Sequence, residues 1–97
     1  MEKQRILLVD DDVGVSRTLK MYLDENGAYE VRVENVGSRA VATARDFRPD
    51  LIFLDIVMPD ADGGGAVAAE INADPVLQGT PIVFLTALVS QAETAGG

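Results

Sequence analysis

The stretch LIFLD at residues 51–55 places an aspartate directly after four apolar residues. Two other stretches also place a polar residue after four apolar ones. They are ILLVDDD at residues 6–12, with aspartates, and IVFLT at residues 82–86, with a threonine. Continuous apolar runs of this kind predict strands that are buried on both faces, as in a parallel sheet. The carboxyl ends of parallel strands meet at one edge of the sheet, where ligands bind. The sequence therefore predicts that three acidic side chains and one hydroxyl come together at that edge.

The candidate acidic cluster consists of Asp10, Asp11 and Asp55. Two carboxylates ~4 Å apart repel by roughly 4 kcal/mol at an effective dielectric constant of about 20, so such a cluster favours a bound cation. Mg²⁺ takes oxygen ligands, and we expect it here, with one carboxylate as a candidate nucleophile. Taken alone, Asp10 and Asp11 also fit helix caps or turn residues. An aspartate at the end of a neighbouring strand favours the metal site.

The segments between the apolar runs have helical periodicity. Apolar side chains recur at i, i+4 and i+8 over residues 13–25, with Asp12 placed to cap the first turn and Asn-Gly at 26–27 to end the helix. A second helix is predicted over residues 38–47, opened by its serine, and a third over residues 64–73.

Residues 29–34 alternate between apolar and charged side chains, which predicts a half-exposed strand at a sheet edge. The order is then strand and helix three times, followed by a strand. This alternation predicts an α/β fold, a parallel sheet with helices on both faces. A chain of 97 residues has room for a single small domain, which we place at residues 1–97.

Composition excludes several classes of function. The net charge of −8 disfavours nonspecific binding to nucleic acid or anionic lipid, since both need a basic surface. The chain has no histidine, which excludes a Ser-His-Asp triad and most zinc sites, and no cysteine, which excludes disulfides. No apolar run approaches the ~20 residues that span a membrane, and none suits a signal peptide. We expect a cytoplasmic protein with no direct contact to membrane or nucleic acid.

Three pieces of the sequence carry a family resemblance: LVDDD at 8–12, PDLIFLDIVMPDADG at 49–63 and PIVFLTA at 81–87. In this order and spacing, the chain resembles the receiver domain of bacterial two-component response regulators. The middle piece is the specific one, with its aspartate three residues before Met-Pro and eight before Gly.

The resemblance implies a flavodoxin-like, doubly wound sheet and a phosphoacceptor role for Asp55. It implies that Mg²⁺ is held by Asp11, Asp55 and the backbone carbonyl of Val57, with Asp10 acting mostly through water. It implies that the Thr86 hydroxyl bonds a phosphoryl oxygen. The implied phosphoryl donor is a phosphohistidine of a sensor histidine kinase or a phosphotransfer protein.

The chain also departs from the family pattern. The family continues with a fourth helix, a fifth strand whose end carries a lysine, and a fifth helix, whereas the only lysines here are Lys3 and Lys20. We therefore expect strand order 2-1-3-4, with the fifth strand and last helices absent and the strand at 82–85 left as an apolar edge. A longer parent chain with a mass above 10.3 kDa is one explanation, and completion by a second copy in a dimer is the other.

The function expected from these residues is a signalling switch with slow self-dephosphorylation, not a metabolic enzyme. One alternative is a phosphorylation-independent interaction module with a relic pocket. Another is a phosphohydrolase, which would need an acid two residues after the nucleophile, where Val57 stands. A nucleotide-binding domain is disfavoured because no Gly-rich phosphate loop follows the first strand. In the loop after Asp55, we expect Gly63 to have a positive φ, and Asp60 and Asp62 to be solvated charges.

Overall fold

The computed structural model describes residues 2–85. Its four strands are β1 (Gln4–Val9), β2 (Tyr29–Glu34), β3 (Leu51–Leu54) and β4 (Ile82–Phe84). Its three α-helices are α1 (Val13–Asn26), α2 (Ala40–Phe47) and α3 (Gly64–Ala73). Two short 3-10 helices, Gly37–Arg39 and Pro59–Ala61, precede α2 and α3. Thr86 and everything after it lie outside the described residues, so the expectations for that segment stay predictions.

The strands form one parallel sheet in the order β2-β1-β3-β4. This order confirms the predicted doubly wound α/β fold and the edge position of β2. In the register of β1 and β3, Val9 lies opposite Leu54. An aspartate follows each of these two strands, so the pairing of β1 with β3 sets Asp10 beside Asp55 at the carboxyl edge. The N–H of Asp55 continues the ladder by donating to the Val9 carbonyl at 2.9 Å.

The core is divided between the two faces of the sheet. On one face α2 and α3 cover the sheet, and the residues buried there include Leu7, Ile52 and Leu54. On the other face α1 packs over a smaller cluster that includes Ile6 and Leu8. Of the three apolar runs, β1 is therefore buried on both faces, as predicted. Alternate residues of β3 are only half-buried.

Strand β4 lies at the edge of the sheet, as the expected order 2-1-3-4 placed it, and it is not buried on both faces as its apolar run alone suggested. The side chains of Val83 and Phe84 are each 44 % exposed. An apolar run can be identified from the sequence, but its burial depends on what packs against it. The strand and its apolar edge position were predicted correctly, and only the burial on both faces that the apolar run by itself suggested is absent.

Helix α1 begins and ends where its capping residues predict. The Asp12 carboxylate accepts a hydrogen bond from the N–H of Val15 at 3.0 Å, and Gly27 takes the left-handed conformation that ends the helix. Helix α2 differs from the prediction, because Ser38 lies within a 3-10 turn and the α-helix begins at Ala40. No helix among residues 2–85 is long and apolar enough to cross a membrane.

Candidate functional site

Three carboxylates come together at the carboxyl edge of the sheet. Asp10 is buried, Asp55 is half-buried and Asp11 is exposed, and one oxygen from each lies within 4.8 Å of the other two. Asp10 and Asp11 follow β1, and Asp55 follows β3. The structure thus brings together all three acidic residues that the sequence placed at this edge.

The loop after β1 is held by hydrogen bonds to near neighbours and by Asn35, the residue directly after β2. The Asp10 carboxylate accepts from the N–H of Asp12 at 2.9 Å, which fixes its orientation. The side-chain amide of Asn35 donates to the Asp10 carbonyl at 2.7 Å and to the buried Ser16 hydroxyl at 3.0 Å. Ser16 in turn donates to the Asp12 carbonyl at 3.0 Å. The sequence did not predict these roles of Asn35 and Ser16. The one signal for Asn35 was its position as a polar residue directly after β2.

The loop after β3 folds back on itself before α3 begins. The N–H of Val57 donates to the Asp55 carboxylate at 3.1 Å, and the N–H of Gly64 donates to the Ile56 carbonyl at 2.6 Å. The N–H of Gly63 donates to the Met58 carbonyl at 2.9 Å, and Gly63 has the expected positive φ of 97°. Val57 is therefore adjacent to the nucleophile candidate, and its role as a metal ligand stays a prediction.

Asp60 is exposed, as expected for a solvated charge, but its carboxylate also has backbone partners that the sequence did not indicate. Its two carboxylate oxygens accept from the N–H groups of Gly37 and Ser38, at 3.3 and 3.1 Å. Its partners are 22 and 23 residues away in the chain, so no local pattern could identify them. Asp62 is exposed as expected, and within residues 2–85 its side chain makes no hydrogen bond.

Two carboxyl groups of the acidic cluster, those of Asp10 and Asp11, have a raised pKa. Burial raises the pKa of Asp10 from 3.8 to about 6, against the lowering effect of the Asp12 N–H and with a further rise from the charge of Asp55. The pKa of Asp11 is also raised, first by partial burial and then by Asp55. The charged forms are therefore held together at an energetic cost that a cation would relieve.

The donor set fits a hard divalent ion. All three side chains offer carboxylate oxygens, which are the ligands that Mg²⁺ prefers, and the cluster contains no nitrogen or sulfur donor. A parallel sheet in the order 2-1-3-4 with such a cluster at its carboxyl edge defines a class, the flavodoxin-like α/β domains with an acidic site at the strand ends.

The comparison with known families agrees with this class and narrows it. The family model described as "response regulator receiver domain" matches residues 6–96. This chain belongs to the response regulator receiver domain family. Receiver domains are the signalling domains of two-component systems, and the family assignment made from the three sequence pieces is confirmed.

Two curated relatives show how the domain is used in longer proteins. The DNA-binding response regulator MtrA of Mycolicibacterium smegmatis is 37 % identical over 95 residues, which are 98 % of this chain and 40 % of MtrA. A protein-glutamate methylesterase/protein-glutamine glutaminase of Rhodospirillum rubrum is 36 % identical over 84 residues, 87 % of this chain and 22 % of that protein. The chain therefore spans less than half the length of these relatives.

Two solved structures support the fold. The N-terminal domain of a response regulator receiver protein from Methanoculleus marisnigri has a TM-score of 0.80 at 29 % identity, covering 86 % of this chain and 66 % of that one. The Vibrio cholerae chemotaxis protein CheY4 has a TM-score of 0.79 at 26 % identity, covering 99 % of this chain and 82 % of that one.

Proposed function

We propose that this chain is a phosphoacceptor switch of a two-component system, phosphorylated on Asp55 with Mg²⁺ held at the acidic cluster. The observation that carries the proposal is the cluster itself: Asp10, Asp11 and Asp55 offer oxygens within 4.8 Å of one another. Membership of the receiver family supports the same role. The partner that supplies the phosphoryl group is a histidine kinase or a phosphotransfer protein.

Asp55 acts as the nucleophile. One of its carboxylate oxygens attacks the phosphorus of the donor phosphohistidine, an O–P bond forms, and the P–N bond breaks with its electron pair left on the histidine nitrogen. The N–H of Val57 bonds the Asp55 carboxylate and so limits its rotation before attack. The chain itself contains no histidine, which is consistent with a donor on another protein.

Asp10, Asp11, Asp55 and the Val57 carbonyl would hold the metal ion. When bound, Mg²⁺ neutralises the negative charge that accumulates between the carboxylate and the phosphoryl oxygens. Burial raises the pKa of the Asp10 carboxyl group. A nearby cation favours the charged form, so Asp10 would lose its proton more readily with the metal bound. The Thr86 hydroxyl would bond a phosphoryl oxygen, a role that rests on the family resemblance.

The chain works as a switch because its phosphorylated state is reversible. Water attacks the acyl phosphate slowly, releases inorganic phosphate and restores the Asp55 carboxylate. Between these events the added charge changes the surface that a partner recognises. The DNA-binding and methylesterase activities named for the relatives belong to those longer proteins, and the net charge of −8 disfavours direct nucleic-acid binding by this chain.

Acetyl phosphate labelling tests the proposal. Wild type, Asp55→Asn and the loop control Asp62→Asn are incubated with acetyl phosphate and Mg²⁺, and the labelled residue is located by mass spectrometry. We expect wild type and Asp62→Asn to be labelled on Asp55, and Asp55→Asn to carry no label. Equal labelling of the Asp55→Asn protein would remove Asp55 from the role.

A second candidate function is a phosphorylation-independent interaction or dimerisation module. It is favoured by the exposed apolar side chains of β4, Val83 and Phe84. Beryllofluoride binding separates the two candidates, because the phosphoryl mimic needs a working acidic pocket. Binding at millimolar Mg²⁺ supports the phosphoacceptor, and no binding supports the interaction module.

A further inference from the structure

Asp60 joins two loops that are distant in the sequence. It lies in the loop between β3 and α3, and its carboxylate accepts hydrogen bonds from Gly37 and Ser38 at the start of the segment that leads into α2. We call this set of contacts, the Asp60 carboxylate with the N–H groups of Gly37 and Ser38, the loop clamp. No part of the acidic cluster takes part in it.

The two loops lie so close that residue 37 has no room for a side chain. A Cβ on Gly37 would lie 2.8 Å from the Cβ of Ala61 and 3.0 Å from both the Asp60 carboxylate and the Met58 methyl group. Met58 is itself 1 % exposed and belongs to the core. The two loops are therefore packed against each other, and the two hydrogen bonds fix their relative position.

The clamp is also favourable electrostatically. The first N–H groups of a helical segment have no partner inside the helix, and a carboxylate there satisfies them and complements the helix dipole. Asp60 supplies both acceptors from another loop, since neither the residue before the 3-10 turn nor the one before α2 provides a side-chain cap. Ser38 therefore donates its N–H to Asp60 from the 3-10 turn and lies outside α2.

Val57 lies between two fixed points. On one side Asp55 is held by the sheet ladder through its bond to the Val9 carbonyl. On the other side, three residues on, Asp60 is held by the clamp. Without the clamp, the backbone from residue 56 to residue 61 would keep its own turn and its packing near Gly37, but it would lose the two hydrogen bonds to the segment before α2.

We propose that Asp60 is a positioning residue for the metal site, acting through the backbone of Val57. The inference rests on the proposed function, because it needs the Val57 carbonyl to be a Mg²⁺ ligand. Groups that orient metal ligands commonly change metal affinity by about 10–100-fold when removed. Asp60 acts one step further away, so loss of its carboxylate weakens Mg²⁺ binding by about 3–10-fold.

Direct Mg²⁺ titration by calorimetry, without any phosphoryl donor, tests the proposal on wild type, Asp60→Ala, Asp60→Asn and Asp62→Asn. Asp60→Asn and Asp62→Asn make the same charge change two positions apart, which separates position from charge. We expect the dissociation constant to rise about 3–10-fold for Asp60→Ala and about twofold for Asp60→Asn, which keeps one acceptor oxygen. We expect Asp62→Asn to match wild type.

Amide hydrogen exchange on the metal-free proteins supplies a second readout. The Gly37 and Ser38 amides should exchange faster in Asp60→Ala than in wild type and stay unchanged in Asp62→Asn. A wild-type Mg²⁺ affinity in folded Asp60→Ala overturns the proposal, and so does an equal loss in Asp62→Asn. If Asp60→Ala does not fold, Asp60→Asn decides, and an affinity equal to that of Asp62→Asn overturns the proposal.

The two proposals fail in different ways. A wild-type protein that binds Mg²⁺ but takes no label from acetyl phosphate contradicts the phosphoacceptor function, while the calorimetric comparison still decides the role of Asp60. A wild-type protein that is labelled on Asp55, together with an unchanged Mg²⁺ affinity in Asp60→Ala, overturns only the role of Asp60.

Discussion

The two loops that carry the acidic cluster are held in place in different ways. In the loop after β1, the carboxylates of Asp10 and Asp12 accept from backbone N–H groups two and three residues away, those of Asp12 and Val15. A side chain from outside this loop, that of Asn35, donates to the Asp10 carbonyl. In the loop after β3, the carboxylate of Asp60 bonds to residues 22 and 23 positions away. The carboxylates of the first loop therefore bond close to themselves in the sequence, whereas the carboxylate of Asp60 in the second loop bonds to another segment of the chain.

This difference should make the loop after β3 more sensitive to substitution than the loop after β1. A locally bonded loop loses one capping interaction when one residue changes. A loop packed against distant backbone has contacts that cannot relax independently, because the interior around it is close-packed. We therefore expect substitutions in the loop after β3 to have the largest effects on stability.

Gly64→Ala should break the second loop and leave the first intact. A Cβ at this position would overlap the Asp55 carbonyl oxygen and lie 2.7 Å from the Ile56 Cα, both of them backbone atoms that cannot swing away. We expect a loss of about 2–4 kcal/mol in the free energy of unfolding, at the upper end for overpacking, measured by urea denaturation.

The neighbouring glycine is the matched control for that substitution. A Cβ on Gly65 meets nothing within 4 Å, and Gly65 lies inside helix α3. Gly65→Ala should therefore stabilise the protein by about 0.5–1 kcal/mol. Equal destabilisation by the two substitutions would show that helix α3, and not the contact with the loop, is sensitive.

Asp10→Asn tests the electrostatic cost of the acidic cluster. The asparagine keeps the oxygen that accepts from the Asp12 N–H but removes a buried charge next to Asp55. We expect the metal-free protein at pH 7 to become more stable in thermal unfolding, while Mg²⁺ binding weakens by about 10–100-fold. A variant with unchanged Mg²⁺ affinity would exclude Asp10 from the metal site.

The pH dependence of stability also tests the electrostatic cost of the Asp10 charge. The pKa of Asp10 is about 6 in the folded protein and ordinarily 3.8, so the folded state binds the proton more tightly than the unfolded state does. The contribution of Asp10 to stability is therefore fully present below about pH 4 and is lost as the pH rises through 6. We expect metal-free wild type to melt at a lower temperature at pH 7 than at pH 5, and Asp10→Asn to reduce that difference. A melting temperature that rises across this interval in wild type would contradict the assignment.

Asp12→Ala should give a smaller loss of stability than Gly64→Ala, confined to the first loop. It removes one N-cap bond, the acceptor for the Val15 N–H, and should cost about 1 kcal/mol in urea denaturation. Asp12→Asn retains a capping oxygen and should lie within a few tenths of a kcal/mol of wild type. If Asp12→Ala proved as costly as Gly64→Ala, the contrast between the two loops would be lost.

The strands and the N-cap of helix α1 could be predicted from the sequence because their causes are local. Four apolar residues before an aspartate identify β1 and β3, and an aspartate three residues before a backbone N–H caps a helix wherever it occurs. The meeting of Asp10, Asp11 and Asp55 also followed from the sequence, since parallel strands share a carboxyl edge. The family assignment depends on the same residues.

Tertiary structure alone decided the rest. It set the start of α2 at Ala40, the partners of Asp60 and the need for glycine at position 37. Each of these depends on which backbone lies opposite, and that is fixed by packing between segments more than twenty residues apart. Hydrophobic periodicity and capping propensity describe a segment by itself, so they identify its type but not its neighbours.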